Sequence, residues 1–160
     1  MTIKVGDRVP DGQFGIMTAQ GPSAMTTDEL FAGKTVVFFA LPGAFTPTCS
    51  AKHLPGYVAT ADDLAAHGAD TIACMSVNDA FVMAAWGEDQ NVGGKVLMLA
   101  DGNGTYAQAL GLSFDGSGFG MGERAQRFSM IVEDGVVKSL NIEAPGAFEV
   151  SDADTALSQL

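Results

Sequence analysis

The segment TVVFFAL, residues 35 to 41, is an unbroken run of β-branched and aromatic residues between Lys34 and Pro42. A strand with one wet face alternates apolar and polar residues, so this pattern predicts a strand covered on both faces. TIACMSV (71 to 77) and KVLMLA (95 to 100) have the same character. Between the first two runs, His53, Leu54, Tyr57, Val58, Leu64 and Ala65 are spaced as on a helix that stops at Gly68. Pro55 and Gly56 fall inside it and are expected to bend or break it. Asn78 and Asp79 are N-cap candidates for DAFVMAAWGEDQ, a short helix ending before Gly93-Gly94, and TYAQALGL (105 to 112) predicts a further helical turn or two. Strand, helix, strand, helix, strand is the order of an α/β fold with a parallel core.

The pattern then changes. RFSMIVEDGVVKSLNIE (127 to 143) reads as two β-rich runs joined by Glu133-Asp134-Gly135, which predicts a hairpin and an antiparallel edge. Ser151, with Asp152 and Asp154, marks the capped start of a last helix through TALSQL. GLSFDGSGFGMGE (111 to 123) contains five glycines without helical or strand periodicity, so a long loop is expected there. No repeat, linker or second domain interrupts the pattern, and residues 1 to 160 read as one domain.

Charge narrows the partners. A formal net charge of -11 and a pI near 4.2 repel phosphate backbones and anionic lipid surfaces, so neither nucleic acid nor membrane is an expected partner. The start MTIKVGDRVP lacks an apolar core behind a basic segment, and no run approaches the ~20 apolar residues of a membrane span. A soluble, unexported, cytoplasmic protein is expected. The two cysteines, Cys49 and Cys74, show neither CxxC nor zinc-ligand spacing, which fits a reducing compartment.

Cys49 closes LPGAFTPTCS, directly behind the first apolar strand. Pro42 stops that strand, Thr46 and Thr48 are N-cap candidates, and Pro47 suits a first helical turn. Cys49 is thereby placed in the first turn of a helix, near unpaired N–H groups and the positive end of the dipole, a place that favours thiolate over thiol. A buried structural cysteine is the bland alternative. The strand-end, proline-framed position favours reactivity, because loops after parallel strands are where α/β sites form.

PGAFTPTCS resembles the peroxidatic motif of the peroxiredoxins, Pro-x-x-x-Thr-x-x-Cys, with Pro42, Thr46 and Cys49 in the motif positions. SAKHLPGYV, CMSVNDAFVMAAWG and RFSMIVEDGVVKSLNIE are similar to the type-5 or type-II branch, in the same order and over nearly the whole chain. The resemblance implies a thioredoxin-like fold, a mixed sheet with parallel core and antiparallel hairpin edge and helices on both faces. It also implies thiol-dependent reduction of hydrogen peroxide and organic hydroperoxides through a sulfenic acid on Cys49. By the same resemblance Thr46 places its hydroxyl near sulfur and peroxide, Pro42 shields the thiolate, and Arg127 in RFSM supplies a guanidinium to both. Arg124 is expected to be a bystander. The branch commonly dimerises near its active-site loops, which implies a homodimer, with 42 to 48 and 80 to 86 in contact.

One subgroup resolves its sulfenic acid with a C-terminal cysteine, but residues 144 to 160 contain none. Cys74, inside an apolar strand, is expected to be structural and inert. An external thiol is therefore the expected reductant: glutathione with glutaredoxin, or thioredoxin. Other readings weigh less. His53, four residues past Cys49, would serve as base in a cysteine hydrolase, but no orienting partner is evident; a structural or hydrogen-bonding role is plainer. A disulfide reductase needs a second cysteine where Lys52 stands. A redox sensor would use the same exposed, low-pKa thiol without turnover. Trp86, with Phe81 and Met83, reads as core or interface, and the glycines of 111 to 122 do not form a phosphate loop. No nucleotide, metal or prosthetic group is expected.

Overall fold

The computed structural model describes residues Met1 to Leu160, and its first elements are ones that the sequence patterns did not announce. A hairpin of β1 (Gln13–Thr18) and β2 (Gly21–Thr26) leads into α1 (Thr27–Phe31). β2 reads GPSAMT and is mostly exposed, with one strand-forming residue, Thr26, and no apolar alternation. Its pairing with β1 makes it a strand. α1 starts on a capping box: the Thr26 hydroxyl accepts from the Glu29 N–H, and the Glu29 carboxylate accepts from the Thr26 N–H.

The first apolar run forms β3 (Thr35–Ala40). A π-helical turn (Cys49–His53) then feeds α2 (Leu54–Ala66). No break occurs at Pro55 and Gly56, which fall in the first turn of a continuous α2. Proline inside a helix clashes with the carbonyl four residues back and offers no N–H. Here the turn before it is widened, with the Leu54 N–H donating to the Cys49 carbonyl five residues back, and the helix runs on. β4 (Thr71–Ser76), α3 (Ala80–Asp89), β5 (Leu97–Ala100) and α4 (Thr105–Leu110) follow as predicted.

Residues 111 to 123 are not one long loop. They build most of a small hairpin, β6 (Ser113–Asp115) with β7 (Glu123–Ala125), whose connection turns through Gly120 and Gly122 at positive φ. The glycines that hid the pairing are those that close the turn. β8 (Phe128–Glu133) and β9 (Val136–Ile142) form the predicted hairpin across Asp134 (φ 47°) and Gly135 (φ 79°). In the last helix, α5 (Ala153–Ser158), Asp152 occupies the N-cap position rather than Ser151.

The seven-stranded sheet has the order β2-β1-β5-β4-β3-β8-β9. β5, β4 and β3 are parallel, and an antiparallel pair flanks them on each side. Alternation in the apolar runs sorts residues to two layers. Val36, Phe38 and Ala40 pack with α1 and α4, while Val37, Phe39 and Leu41 pack with α2, α3 and α5. Cys49 and Cys74 both lie in the second layer, which is where β3 delivers the chain into the PGAFTPT loop. No helix is long and apolar enough to cross a membrane.

Candidate active site

The loop after β3 is held from three directions. Asn78, two residues past β4, accepts at Oδ1 from the Ala44 N–H at 2.9 Å, so it braces this loop while Asp79 alone caps α3, accepting from the Val82 N–H. Arg124 on β7 donates from Nη1 to the Pro42 carbonyl at 3.3 Å and from Nε to the Met121 carbonyl at 2.9 Å. It is therefore no bystander but a strut between the small hairpin and the loop. Gly43 lets the two come close: a Cβ there would stand 2.9 Å from Arg124 Nη1 and 3.2 Å from Thr46 Cγ2, so a larger residue would push on the strut. Beyond it the loop reverses through Phe45 at φ 64°, a left-handed conformation costly for a bulky residue. Trp86 of α3, fully buried, donates to the Ser50 hydroxyl at 3.1 Å and so pins the first turn of the catalytic helix; core, not cofactor box, is its place.

Neither threonine caps that helix with its side chain. Thr48 makes no such bond, and the Thr46 hydroxyl donates to the Gly43 carbonyl at 2.7 Å. With its proton committed there, the Thr46 oxygen keeps its lone pairs for another donor.

Cys49 is fully buried, which corrects the expectation of an exposed thiol. Arg127, in the residue before β8, reaches it across 78 residues of sequence and donates from Nη2 to Cys49 Sγ at 3.2 Å. The second guanidinium nitrogen, Nη1, lies 2.9 Å from His53 Nδ1. Because a guanidinium cannot accept, Nδ1 must carry the lone pair, and the imidazole proton sits on Nε2. That N–H donates to the Ser151 carbonyl at 3.0 Å. Burial, and then the Arg127 charge, push the His53 pKa down to about 3 from 6.5, so the ring is neutral over the working range. His53 is thus an orienter of the arginine, and a hydrolase base has no place here.

Both ion pairs of the protein, Lys4–Asp7 and Lys95–Asp62, lie away from this site. In a chain with 19 acidic residues, Arg127 faces a neutral imidazole and a sulfur and no carboxylate, so its charge stays available to the sulfur. Phe148 covers the other side, with its ring 5.8 Å from the Arg127 guanidinium carbon and 5.0 Å from the His53 ring.

Cys74 shares the layer but receives no hydrogen bond from the guanidinium, and the Arg127 charge, which acts on it in the opposite sense to burial, is outweighed. The residue is fully buried in β4, and burial raises its pKa well above the ordinary thiol value, with the neighbouring Cys49 adding to the shift. Of the expected site residues, Cys49 and Arg127 touch through the guanidinium, while Thr46 and Pro42 lie in the loop that leads to Cys49, Thr46 bonded to the Gly43 carbonyl and Pro42 held by Arg124. Asn78, Arg124 and the His53–Ser151 contact were not found by sequence reasoning. The RxxR spacing of Arg124 and Arg127 and the helical offset of His53 from Cys49 were the available signals.

Known proteins with this sequence pattern share the arrangement of the chain. A family model described as Redoxin matches residues 4–157. Peroxiredoxin-2E-2, chloroplastic, of Oryza sativa subsp. japonica is 49% identical over 164 residues, covering 99% of this chain and 73% of the relative. The crystal structure of reduced Prx3 in complex with H2O2 from Vibrio vulnificus superposes with a TM-score of 0.95 at 54% identity, covering 98% of each chain. The hybrid peroxiredoxin hyPrx5 of Haemophilus influenzae is 45% identical over 165 residues, covering 100% of this chain and 67% of the relative. With a cysteine held by an arginine at the end of a parallel strand and these relatives over its whole length, the chain belongs to the peroxiredoxins of the type-II or type-5 branch and is a thiol-dependent peroxidase.

Proposed function

We propose that the protein reduces hydrogen peroxide and organic hydroperoxides by a one-cysteine cycle on Cys49, with an external thiol as reductant. The observation that carries this reading is the 3.2 Å contact from Arg127 Nη2 to Cys49 Sγ. A cationic donor at that distance favours the sulfur anion, which is the nucleophile. The thiolate attacks one peroxide oxygen, the S–O bond forms as the O–O bond breaks, and sulfur gives up two electrons. The departing hydroxide or alkoxide takes a proton from solvent and leaves as water or alcohol. Arg127 steadies the negative charge that moves from sulfur to oxygen, and the free lone pairs of Thr46 accept from the peroxide O–H. Pro42 keeps water from the sulfur.

Regeneration follows from what the chain lacks. Residues 144 to 160 hold no cysteine and Cys74 is buried with its proton retained, so a thiol from outside condenses with the sulfenic acid and a second thiol releases the sulfur. Glutathione with glutaredoxin, or thioredoxin, fits that role, in a reducing compartment such as the cytoplasm, as part of antioxidant defence and redox homeostasis. Phe45 in the active-site loop and Phe81 in α3 are 54% and 65% exposed, which suits a homodimer joined through residues 42 to 48 and 80 to 86. Against a sensor without turnover, the deciding experiment is peroxide consumption with each reductant system. Sustained turnover lost in Cys49→Ser supports the cycle; a single oxidation event with every reductant contradicts it.

A further inference from the structure

We propose that Glu143 is a positioning residue of the peroxidase reaction, acting on Arg127 through the Ser151 carbonyl and the His53 imidazole. The proposal rests on Cys49 and Arg127 carrying the peroxidase chemistry. Glu143 directly follows β9, and its backbone N–H donates to the Arg127 carbonyl at 3.0 Å, so the two residues are fixed to one another at the sheet edge. Its carboxylate makes no ion pair with the guanidinium and instead gathers the segment before α5. The N–H groups of Glu149, Val150 and Ser151 reach it at 2.9, 2.9 and 2.8 Å, and the Ser151 hydroxyl at 2.7 Å. Three successive amides and a hydroxyl converging on one carboxylate set the orientation of that turn.

The carbonyl of Ser151 is what the turn delivers. It accepts from His53 Nε2 at 3.0 Å and from the Tyr57 hydroxyl at 2.8 Å. Without an acceptor there, the imidazole loses the reason to keep its proton on Nε2, and with it the lone pair that Nδ1 offers to Arg127 Nη1 at 2.9 Å. The contacts close a ring: Arg127 backbone, Glu143 backbone, Glu143 carboxylate, Ser151, His53, Arg127 guanidinium, with Cys49 on the last nitrogen. A flexible guanidinium is thereby limited to the rotamer that faces the sulfur. Ser151 and His53 stand between the acid and the cation, so the acid orients the arginine without competing with the thiolate for its charge.

The test is a double-mutant cycle on Glu143→Gln and His53→Phe, the latter keeping a ring between Phe39 and Phe148 while removing both nitrogens. Two rates are read: peroxide reduction and alkylation of Cys49 by iodoacetamide, the second independent of any peroxidase activity. Glu143→Gln should slow both on the order of tenfold, the loss of one buried charged hydrogen-bond set relayed to the arginine. In the His53→Phe background it should add less than about twofold. Equal factors in both backgrounds, or wild-type rates in Glu143→Gln, overturn the proposal. If Glu143→Gln does not fold by circular dichroism, Ser151→Ala removes one donor and should give a smaller loss that also vanishes with His53→Phe. Loss of peroxide reduction in the parent protein, with alkylation intact, would instead contradict the peroxidase reading.

Discussion

Cys49 and Cys74 differ less in burial than in company. Both are fully buried, both lie on the same side of the sheet, and both pack in the same apolar layer. Cys74 sits mid-strand among aliphatic and aromatic neighbours, and burial holds its proton on. Cys49 sits where the strand has ended, on a π-helical turn, with a guanidinium nitrogen 3.2 Å away whose other nitrogen is engaged by a neutral histidine. A buried thiol is inert or reactive according to whether the fold places an uncompensated cation against it, and burial strengthens that interaction by excluding water.

The comparison breaks most visibly if the cation is removed. Arg127→Ala should slow peroxide reduction by about 10²–10³, as for loss of a principal transition-state donor, and leave Cys49 about as unreactive toward iodoacetamide as Cys74. Stopped-flow peroxide kinetics and peptide mapping check this; an unchanged rate would remove Arg127 from the site.

Acid sharpens it from the other side. His53 is held neutral, its pKa lowered to about 3 in the folded protein against 6.5 as the unperturbed value. The unfolded chain therefore takes up a proton below 6.5 that the folded one refuses, and stability should fall by about 1.4 kcal/mol per pH unit through that window. Glu143 adds to the loss further down. Burial alone would raise its pKa, but the Ser151 hydroxyl and three backbone N–H groups hold it below 4.5, so its contribution is present above 4.5 and is lost as pH falls through the folded value. Thermal melts should show the decline starting near 6.5 in the wild type, and His53→Phe should be flat from there to 4.5. An equal slope in both proteins contradicts the assignment.

Two smaller effects test the surroundings. Arg124→Ala frees the Pro42 carbonyl and should cost up to about tenfold in peroxide reduction with Arg127 intact, since a half-buried charged hydrogen bond that fixes the loop is lost. Cys74→Ala should change that rate less than about twofold, while a core cavity lowers the melting temperature. A large rate loss in Cys74→Ala would mean that the second thiol takes part.

How far the sequence showed this depends on the range of the interaction. The apolar runs of β3, β4 and β5 declared themselves because full burial leaves no polar position, and Asp134-Gly135 declared its hairpin because few dipeptides accept that turn. The β1–β2 hairpin is hidden in the sequence, since GPSAMT is a strand only through its partner, whereas the Thr26–Glu29 capping box after it is a local signal of a helix start. In the site, the motif located Cys49, Thr46 and Pro42, and the resemblance alone pointed to Arg127. The struts could not be seen. Arg124 to Pro42 and His53 to Ser151 bridge 82 and 98 residues, distances over which local pattern carries no information.

The most direct measurement exposes the reduced protein to one equivalent of hydrogen peroxide in the presence of dimedone and maps the adduct by mass spectrometry. A sulfenic acid trapped on Cys49, with Cys74 unmodified and no bridge between them, is the expected result. A dimedone adduct on Cys74, or a Cys49–Cys74 disulfide, would show that the arginine contact does not separate the two sulfurs.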